Sequence, residues 1–291
     1  MFKPQGIITP LITPMTDDEK INEKELRNQI KRLIDSGVDG LFCLGTNGEF
    51  YALTTEEKLE VIEITVDENQ KRLPVYAGTG CISTKATIAL SQKAKDLGVD
   101  ALSIVTPYYV AVSQDDIYNH FSEIAETVDL PIVLYNIPAR TGNNIDYKTV
   151  HKLSKYQNIV GVKDSSGNFD NTLRYIENTD RRLSILAGND SLILWTLLAG
   201  GSGAIAGTAN LFPELLVSIY QLWRAGKIEE ANIQQKRLRP FRDVMAMGNP
   251  NSVVKRAMNL RGYPVGPVRK PVNGINSKID EALVKVLDLY Q

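Results

Sequence analysis

A lysine at the end of an apolar segment has the sharpest chemical implication in this sequence. Lys163 directly follows Ile159 to Val162, a run typical of a buried β-strand. A lysine at such a position either points into a pocket or is neutralised by a partner, here Asp164. A desolvated lysine has a lowered pKa and attacks carbonyl carbons, so a Schiff-base enzyme is one interpretation. An ion pair at the strand end is the other, and Lys163 alone does not separate the two.

Two hydroxyl groups near the ends of other apolar segments suit the proton transfers that imine chemistry demands. Tyr135 ends the segment that starts at Pro131, and a phenol can shuttle protons. Thr46 follows another apolar run and can pass a proton onward through its hydroxyl. Each has an ordinary alternative, since half-buried tyrosines are common and a threonine at a strand end is more often a helix cap. Their occurrence together with Lys163 favours the Schiff-base interpretation.

Three features are suited to binding anions. Arg140 follows Asn136 to Ala139 in a loop, and its planar guanidinium suits bidentate capture of a carboxylate, although chemistry alone slightly favours a solvated surface arginine. The loop from Gly45 to Glu49 offers backbone N–H groups that can hold a carboxylate. The Gly200 to Gly203 stretch is either a phosphate site or a tight turn.

Eight short apolar segments alternate with helical patterns from Gly6 to about Gly226, which predicts parallel strands. No GxGxxG motif follows the first segment, so a closed (β/α)8 TIM barrel is favoured over an open doubly wound sheet. The predicted strands are Gly6 to Thr9, Gly40 to Gly45, Pro74 to Gly78, Ala101 to Val105, Pro131 to Tyr135, Ile159 to Lys163, Ser184 to Ala187, and Gly203 to Gly207.

Active sites of this fold collect at the carboxyl ends of the strands. The polar side chains expected at that end are Thr46, Asn47, Tyr108, Tyr109, Tyr135, Arg140, Lys163, Asn189 and Asp190. We therefore expect these residues, which are far apart in sequence, to surround one pocket.

Beyond Gly226 the alternation stops, and we divide the chain into a barrel over 1–226 and C-terminal helices over 227–291 that pack on it. The predicted C-terminal helices are Lys227 to Met247 with a bend at Pro240, Asn251 to Leu260, and Ser277 to Tyr290. Within the barrel, predicted helix starts are the Thr54–Glu57 capping box, Ser113 with Asp116, Asp146, and Pro213.

Composition excludes several classes of protein. The 33 basic residues nearly cancel the 34 acidic ones, so we expect neither nucleic acid nor a membrane surface as a partner. Two cysteines make no disulfide framework, and neither a signal peptide nor a run of roughly 20 apolar residues is evident, so a cytoplasmic enzyme is expected. The only two histidines fall in helical patterns. We therefore expect no metal site and no Ser-His-Asp arrangement.

The motifs Gly45-Thr46-Asn47-Gly48-Glu49, Tyr135-Asn136-Ile137-Pro138-Ala139-Arg140-Thr141-Gly142 and Gly161-Val162-Lys163-Asp164 occur in this order and spacing. Together with Thr106-Pro107-Tyr108-Tyr109 and Gly203-Ala204-Ile205, they make the chain resemble the dihydrodipicolinate synthase and N-acetylneuraminate lyase family over essentially its whole length. Members of that family are class I, Schiff-base pyruvate-dependent aldolases on a TIM barrel.

The resemblance implies a role for each of four catalytic residues. Lys163 forms a covalent imine with pyruvate, and no other cofactor is required. Tyr135 shuttles protons, and Thr46 relays them to Tyr109, which family members donate across a dimer interface. A homodimer or a dimer-of-dimers tetramer is implied. The class of reaction is that of a carbon–carbon or carbon–oxygen lyase.

The resemblance also implies substrates. Arg140 matches the arginine that synthases use for the carboxylate of the aldehyde, and Ile205 and Gly188 line the pyruvate pocket with Asn47 nearby. The best single activity is the condensation of pyruvate with aspartate semialdehyde. A 2-keto-3-deoxy sugar acid or N-acetylneuraminate-type aldolase that releases pyruvate is the alternative, and a non-catalytic barrel scaffold is an alternative of another class.

Some residues depart from the synthase pattern. Asn47 stands where synthases usually have a second threonine, and Ser165 and Ser166 offer hydroxyls to a sugar acid. Lysine-inhibited synthases bind lysine through small and polar residues at positions that here are Phe50, Tyr51, Thr55, Lys58, Ile82 and Ala86. Bulky rings and a like charge at these positions predict that this chain has no lysine feedback.

Overall fold

Eight parallel strands close into a barrel in the computed structural model, which describes residues 2–180 and 182–290. Each strand pairs with the next one in the chain, and the first pairs with the eighth, which confirms the predicted TIM barrel. The strands are β1 (Gly6–Pro10), β2 (Gly40–Cys43), β3 (Val75–Ala77), β4 (Ala101–Val105), β5 (Ile132–Asn136), β6 (Ile159–Asp164), β7 (Ser184–Ala187) and β8 (Gly203–Ile205).

Three predicted strands are too long at the carboxyl end of the barrel: the third by one residue, and the second and eighth by two residues each. β2 stops at Cys43 because Leu44 adopts a left-handed backbone, with φ of 59°, which ends the extended conformation. β8 stops at Ile205 because a 3-10 turn begins at Gly207. Both endings bring the following loop directly over the barrel mouth.

Helices cover the outside of the barrel. They are α1 (Glu23–Asp35), α2 (Thr55–Asn69), α3 (Thr84–Asp96), α4 (Gln114–Thr127), α6 (Tyr147–Leu153), α7 (Phe169–Asn178), α8 (Ile193–Leu198) and α9 (Pro213–Arg224), with the four-residue α5 (Pro138–Thr141) after β5. The predicted capping box of α2 forms, the predicted start of α4 at Ser113 and Asp116 is also a capping box, and Pro213 is the first residue of α9. Asp146 precedes α6, but its side chain makes no capping hydrogen bond.

The C-terminal residues form four more helices: α10 (Ile228–Arg237), α11 (Arg239–Met245), α12 (Pro250–Leu260) and α13 (Ser277–Leu287), followed by a 3-10 turn at Asp288–Tyr290. The predicted helix over 227–247 is thus two helices, because Pro240 lacks an N–H and is accommodated in the first turn of α11. α10 packs on α9, and α12 contacts the turn after β8. The division of the chain at 226 stays a prediction.

The barrel interior beneath the mouth is filled by a cluster of buried apolar side chains, namely Ile8, Phe42, Tyr76, Ala101, Val133, Val160, Leu186 and Ile205. The Gly200 to Gly203 stretch precedes β8 and therefore lies at the opposite, amino end of the strands. There Gly6 N donates to Ser202 O, and any Cβ on Gly203 would collide with the backbone of Gly6. The stretch is a tight turn, and the phosphate-site interpretation was wrong. Among the described residues, no helix is both long and apolar enough to cross a membrane.

Candidate active site

A cavity of about 630 Å³ opens at the carboxyl ends of the strands. All but one of the polar residues that the sequence predicted for this end of the barrel line the cavity. Gly188 and Ile205, which were predicted to line a pyruvate pocket, line it as well. Those lining it are Thr46, Asn47, Tyr108, Tyr135, Arg140, Lys163, Gly188, Asn189, Asp190 and Ile205. Tyr109 is the exception.

Lys163 lies inside β6 and points into the cavity. Its side chain is 3% exposed, and its ammonium nitrogen lies 3.9 Å from the centre of the Tyr135 ring and 5.3 Å from that of Phe42. Successive side chains of a strand face opposite sides, so Asp164 points away from the cavity. There its carboxylate accepts hydrogen bonds from Thr172 and other groups behind the barrel. The Lys163–Asp164 ion pair therefore does not form, and the ammonium makes no ion pair within the described part of the chain.

Tyr135 and Thr46 form a pair of hydroxyl groups beside the lysine. β5 and β6 pair in a register that places Tyr135 opposite Lys163. The Tyr135 hydroxyl lies 3.1 Å from Thr46 Oγ1, within hydrogen-bonding distance. The amine of Lys163 thus lies over the ring of Tyr135, and the hydroxyl of that ring can exchange a proton with the Thr46 hydroxyl in the loop after β2.

The loop that contains Thr46 is fixed by the C-terminal helix α12. Asn251 donates to Thr46 O at 2.8 Å, and the ammonium of Lys255 lies 2.5 Å from the Glu49 carboxylate. Arg269 N donates to the other oxygen of Glu49 at 2.8 Å. Burial lowers the pKa of Lys255, although Glu49 opposes this shift. The loop conformation thus depends on residues more than 200 positions later in the chain.

Two arginines reach the cavity from different sides. Arg140, on α5, is exposed at the mouth and makes no ion pair with any described residue. Arg242, on α11, donates to Asn189 Oδ1 at 3.0 Å. The sequence analysis predicted Arg140 but missed Arg242, Asn251 and Lys255. Lys255 had a detectable signal, because it interrupts the apolar face made by Val253, Val254, Ala257 and Met258.

Tyr109 points away from the cavity of its own chain. It is 91% exposed, and its backbone has φ of 78°, a conformation that is strained for a tyrosine. Its neighbour Tyr108 instead lines the cavity and packs edge-on against Phe50. The assignment of Tyr109 to a partner's site stays a prediction.

The model of the dihydrodipicolinate synthetase family matches residues 3–289. The chain belongs to this family. A curated relative from Methanopyrus kandleri, named 4-hydroxy-tetrahydrodipicolinate synthase, is 42% identical over 288 residues, which cover 98% of this chain and 96% of the relative. Membership of the family makes the chain an enzyme of the lyase type.

Solved structures of the family superpose closely on the barrel. The 4-hydroxy-tetrahydrodipicolinate synthase of Methylacidiphilum fumariolicum SolV gives a TM-score of 0.96 at 34% identity and covers 99% of this chain and 96% of that one. A prophage protein of E. coli K12 from the same family, solved in complex with pyruvate, gives 0.94 at 32% identity and covers 98% of both chains. Within the residues that the structure describes, His, Cys, Asp and Glu side chains form no group of three or more that could hold a metal ion.

Proposed function

We propose that this enzyme is a 4-hydroxy-tetrahydrodipicolinate synthase that condenses pyruvate with aspartate semialdehyde through an imine on Lys163. The observation that carries the proposal is the buried Lys163 amine, free of ion pairs with described residues and adjacent to the Tyr135–Thr46 hydroxyl pair. Relatives 36–42% identical over nearly the whole chain are named for this activity, which supports the same assignment.

The amine of Lys163 attacks C2 of pyruvate, and the Tyr135 hydroxyl protonates the departing oxygen, which leaves as water. The Tyr135 phenolate then takes a proton from C3 of the imine, which gives an enamine, and C3 of this enamine forms the new carbon–carbon bond to the aldehyde carbon. Tyr135 returns a proton to the resulting alkoxide, and Thr46 passes protons onward. The amino group of the aldehyde partner then displaces Lys163 from C2, which closes a ring and frees the enzyme.

Carboxylate binding is shared between the loop after β2 and α5. The backbone N–H groups of the Gly45 to Glu49 loop bind the carboxylate of pyruvate, with Asn47 and Ile205 beside it. Gly188 also lines the cavity, and a side chain there would collide with Ser165 and with the backbone of Asp164. Arg140 binds the carboxylate of the aldehyde.

A second candidate function is cleavage of a 2-keto-3-deoxy sugar acid, or of an N-acetylneuraminate-type substrate, to pyruvate and an aldehyde. Ser165 and Asn47 both line the cavity, and their side chains can hydrogen-bond the hydroxyl groups of such a substrate. This cleavage is the reverse of carbon–carbon bond formation, and it uses the same imine on Lys163 and the same Tyr135.

Assembly and location follow from the same proposal. We propose a homodimer or a dimer of such dimers in the cytoplasm, in which Tyr109 of each chain completes the proton relay of the other. The exposed ring and the strained backbone of Tyr109 support this role, because strain of this kind persists where function requires it.

A coupled assay with each substrate pair tests the proposal. We expect condensation of pyruvate with aspartate semialdehyde. Release of pyruvate from 2-keto-3-deoxygluconate without any condensation would replace the first function by the second. Borohydride reduction in the presence of pyruvate tests for a scaffold, because a barrel without imine chemistry gains no covalent mass.

A further inference from the structure

The guanidinium of Arg242 is held at the cavity wall with most of its donors unused. A guanidinium carries five N–H donors, and the one hydrogen bond that the Arg242 side chain makes with a described residue runs from Nη2 to Asn189 Oδ1 at 3.0 Å. Its Nε is buried and has no hydrogen-bond partner among the described residues. No carboxylate of the described chain forms an ion pair with it. The Nη donors that Asn189 does not use are therefore available to an acceptor in the cavity, whereas the buried Nε is not.

Asn189 holds this arginine above a particular strand. The same Oδ1 accepts a hydrogen bond from Ser191 N at 3.1 Å, so the anchor is itself fixed. Asn189 follows β7, Lys163 lies on the adjacent β6, and Arg140 follows β5 on the other side. A substrate attached to Lys163 is consequently flanked by one arginine on each side.

The charges lining the cavity are unbalanced. Its charged residues are Lys163, Arg140 and Arg242 against the single carboxylate of Asp190. That carboxylate is already occupied, since it accepts hydrogen bonds from Gly207 N and Thr208 N. Pyruvate brings one negative charge, which the loop after β2 binds under the proposed function, and one carboxylate of the second substrate occupies Arg140. Arg242 remains without a counter-charge.

We propose that Arg242 forms a second anion subsite above β7, which binds the second carboxylate of acceptor molecules that carry one in addition to the carboxylate bound at Arg140. The inference extends the range of second substrates beyond aspartate semialdehyde, and it relies on the proposed function for the imine that occupies Lys163 and for the carboxylate contact of Arg140. Bidentate pairing with a guanidinium is the strongest recognition available to such a group.

The test compares dicarboxylates with matched monocarboxylates as inhibitors competitive with the aldehyde, at saturating pyruvate. Malonate, succinate and glutarate are paired with acetate, propionate and butyrate. We expect at least one diacid to bind about tenfold more tightly than the monoacid of equal chain length, as one charge-assisted contact provides. In Arg242→Gln, which retains a donor for Asn189, this advantage falls below about twofold while monoacid binding is unchanged.

Two other arginine variants complete the design. Arg140→Gln weakens diacids and monoacids alike. Arg239→Gln removes the same charge from the same helix at an exposed position without a described partner, and it retains the full diacid advantage. A wild-type enzyme without a diacid advantage, or an advantage that survives in Arg242→Gln, overturns the proposal.

Borohydride trapping of pyruvate separates this inference from the proposed function. If the substitution Arg242→Gln removes only the second anion subsite, the variant traps as much pyruvate on Lys163 as the wild type does. If the wild type traps no pyruvate, the proposed function fails. Calorimetric binding of the same diacids to the wild type and to Arg242→Gln then decides the subsite independently, with equal affinities counting against it.

Discussion

The ammonium of Lys255 lies 2.5 Å from the carboxylate of Glu49, and both side chains are at most 2% exposed. The pair joins α12 to the loop that carries Thr46. Breaking a buried pair leaves an uncompensated charge, so Lys255→Met should lower the free energy of unfolding by about 3–5 kcal/mol. Urea unfolding followed by circular dichroism measures the loss.

Two further variants test whether the buried charge is the cause. In Lys255→Met/Glu49→Gln no charge is stranded, so the double variant should be more stable than Lys255→Met alone. Lys227→Met breaks an ion pair whose side chains are more than half exposed, and it should cost less than about 1 kcal/mol. Equal losses in Lys255→Met and Lys227→Met would refute the argument.

Replacement of Lys163 by Ala should abolish imine trapping and keep the fold. The side chain contacts two aromatic rings but takes part in no ion pair with described residues, so its removal strands no charge. After borohydride reduction with pyruvate, mass spectrometry should show the adduct in the wild type on a peptide containing Lys163. An adduct on any other lysine would overturn the assignment.

Arg140→Ala should raise the aldehyde concentration needed for half-maximal rate far more than the pyruvate concentration. A lost charge-assisted hydrogen bond costs about 1.5–3 kcal/mol, equivalent to roughly a 10- to 150-fold increase. Initial rates with the two substrates varied separately measure both effects, and Arg239→Ala is the charge-matched control. An unchanged aldehyde dependence would make Arg140 a solvated surface residue.

Lysine at millimolar concentration should leave the initial rate unchanged. Phe50 packs edge-on against Tyr51 and Tyr108, with ring centres about 6 Å apart, and the Lys58 ammonium lies 5.9 Å from the Phe50 ring. These groups fill the space that lysine would need and repel its positive charge. A ligand without favourable contacts cannot shift the equilibrium between two conformations of the enzyme. Rates at matched ionic strength with and without lysine are the measurement, and partial inhibition would contradict it.

His120 should make the fold sensitive to acid. The imidazole is buried, and burial lowers its pKa from 6.5 to about 4, so the folded protein favours the neutral ring. The unfolded chain binds the proton first, and stability is therefore lost as pH falls from about 6.5 to about 4, by about 3 kcal/mol in total. Thermal unfolding across this range measures the slope. His120→Gln should flatten it, and His151→Gln, at an exposed position, should not.

The barrel was predictable because its signals are local. Each strand is a short apolar segment, and the order of strands in a barrel is the order in the chain, so Tyr135 and Lys163 were expected on neighbouring strands. The residues at which β2 and β8 end could not be predicted, because they depend on the left-handed backbone of Leu44 and on the 3-10 turn that begins at Gly207. Neither position has a distinctive residue pattern.

The contacts that Arg242 and Asn251 make from the C-terminal helices had no such signal. Arg242 lies 53 residues from its partner Asn189, and Asn251 lies 205 residues from Thr46. Both side chains are of types common on helix surfaces, and only the packing of α11 and α12 turns them toward the cavity. Patterns within a single helix cannot reveal which surface it will cover.

Residues 242–272 supply one wall of the cavity, whereas the amine, the phenol and the threonine hydroxyl belong to the barrel. Recombination within the family can therefore replace the wall that meets the acceptor and leave the proposed nucleophile untouched. A chimaera that joins this barrel to the tail of a relative would retain pyruvate chemistry and the Arg140 contact, provided the tail keeps its lysine opposite Glu49. One crossover placed after the last strand would thus exchange the side of the acceptor site that holds Arg242 and leave the side that holds Arg140 in place.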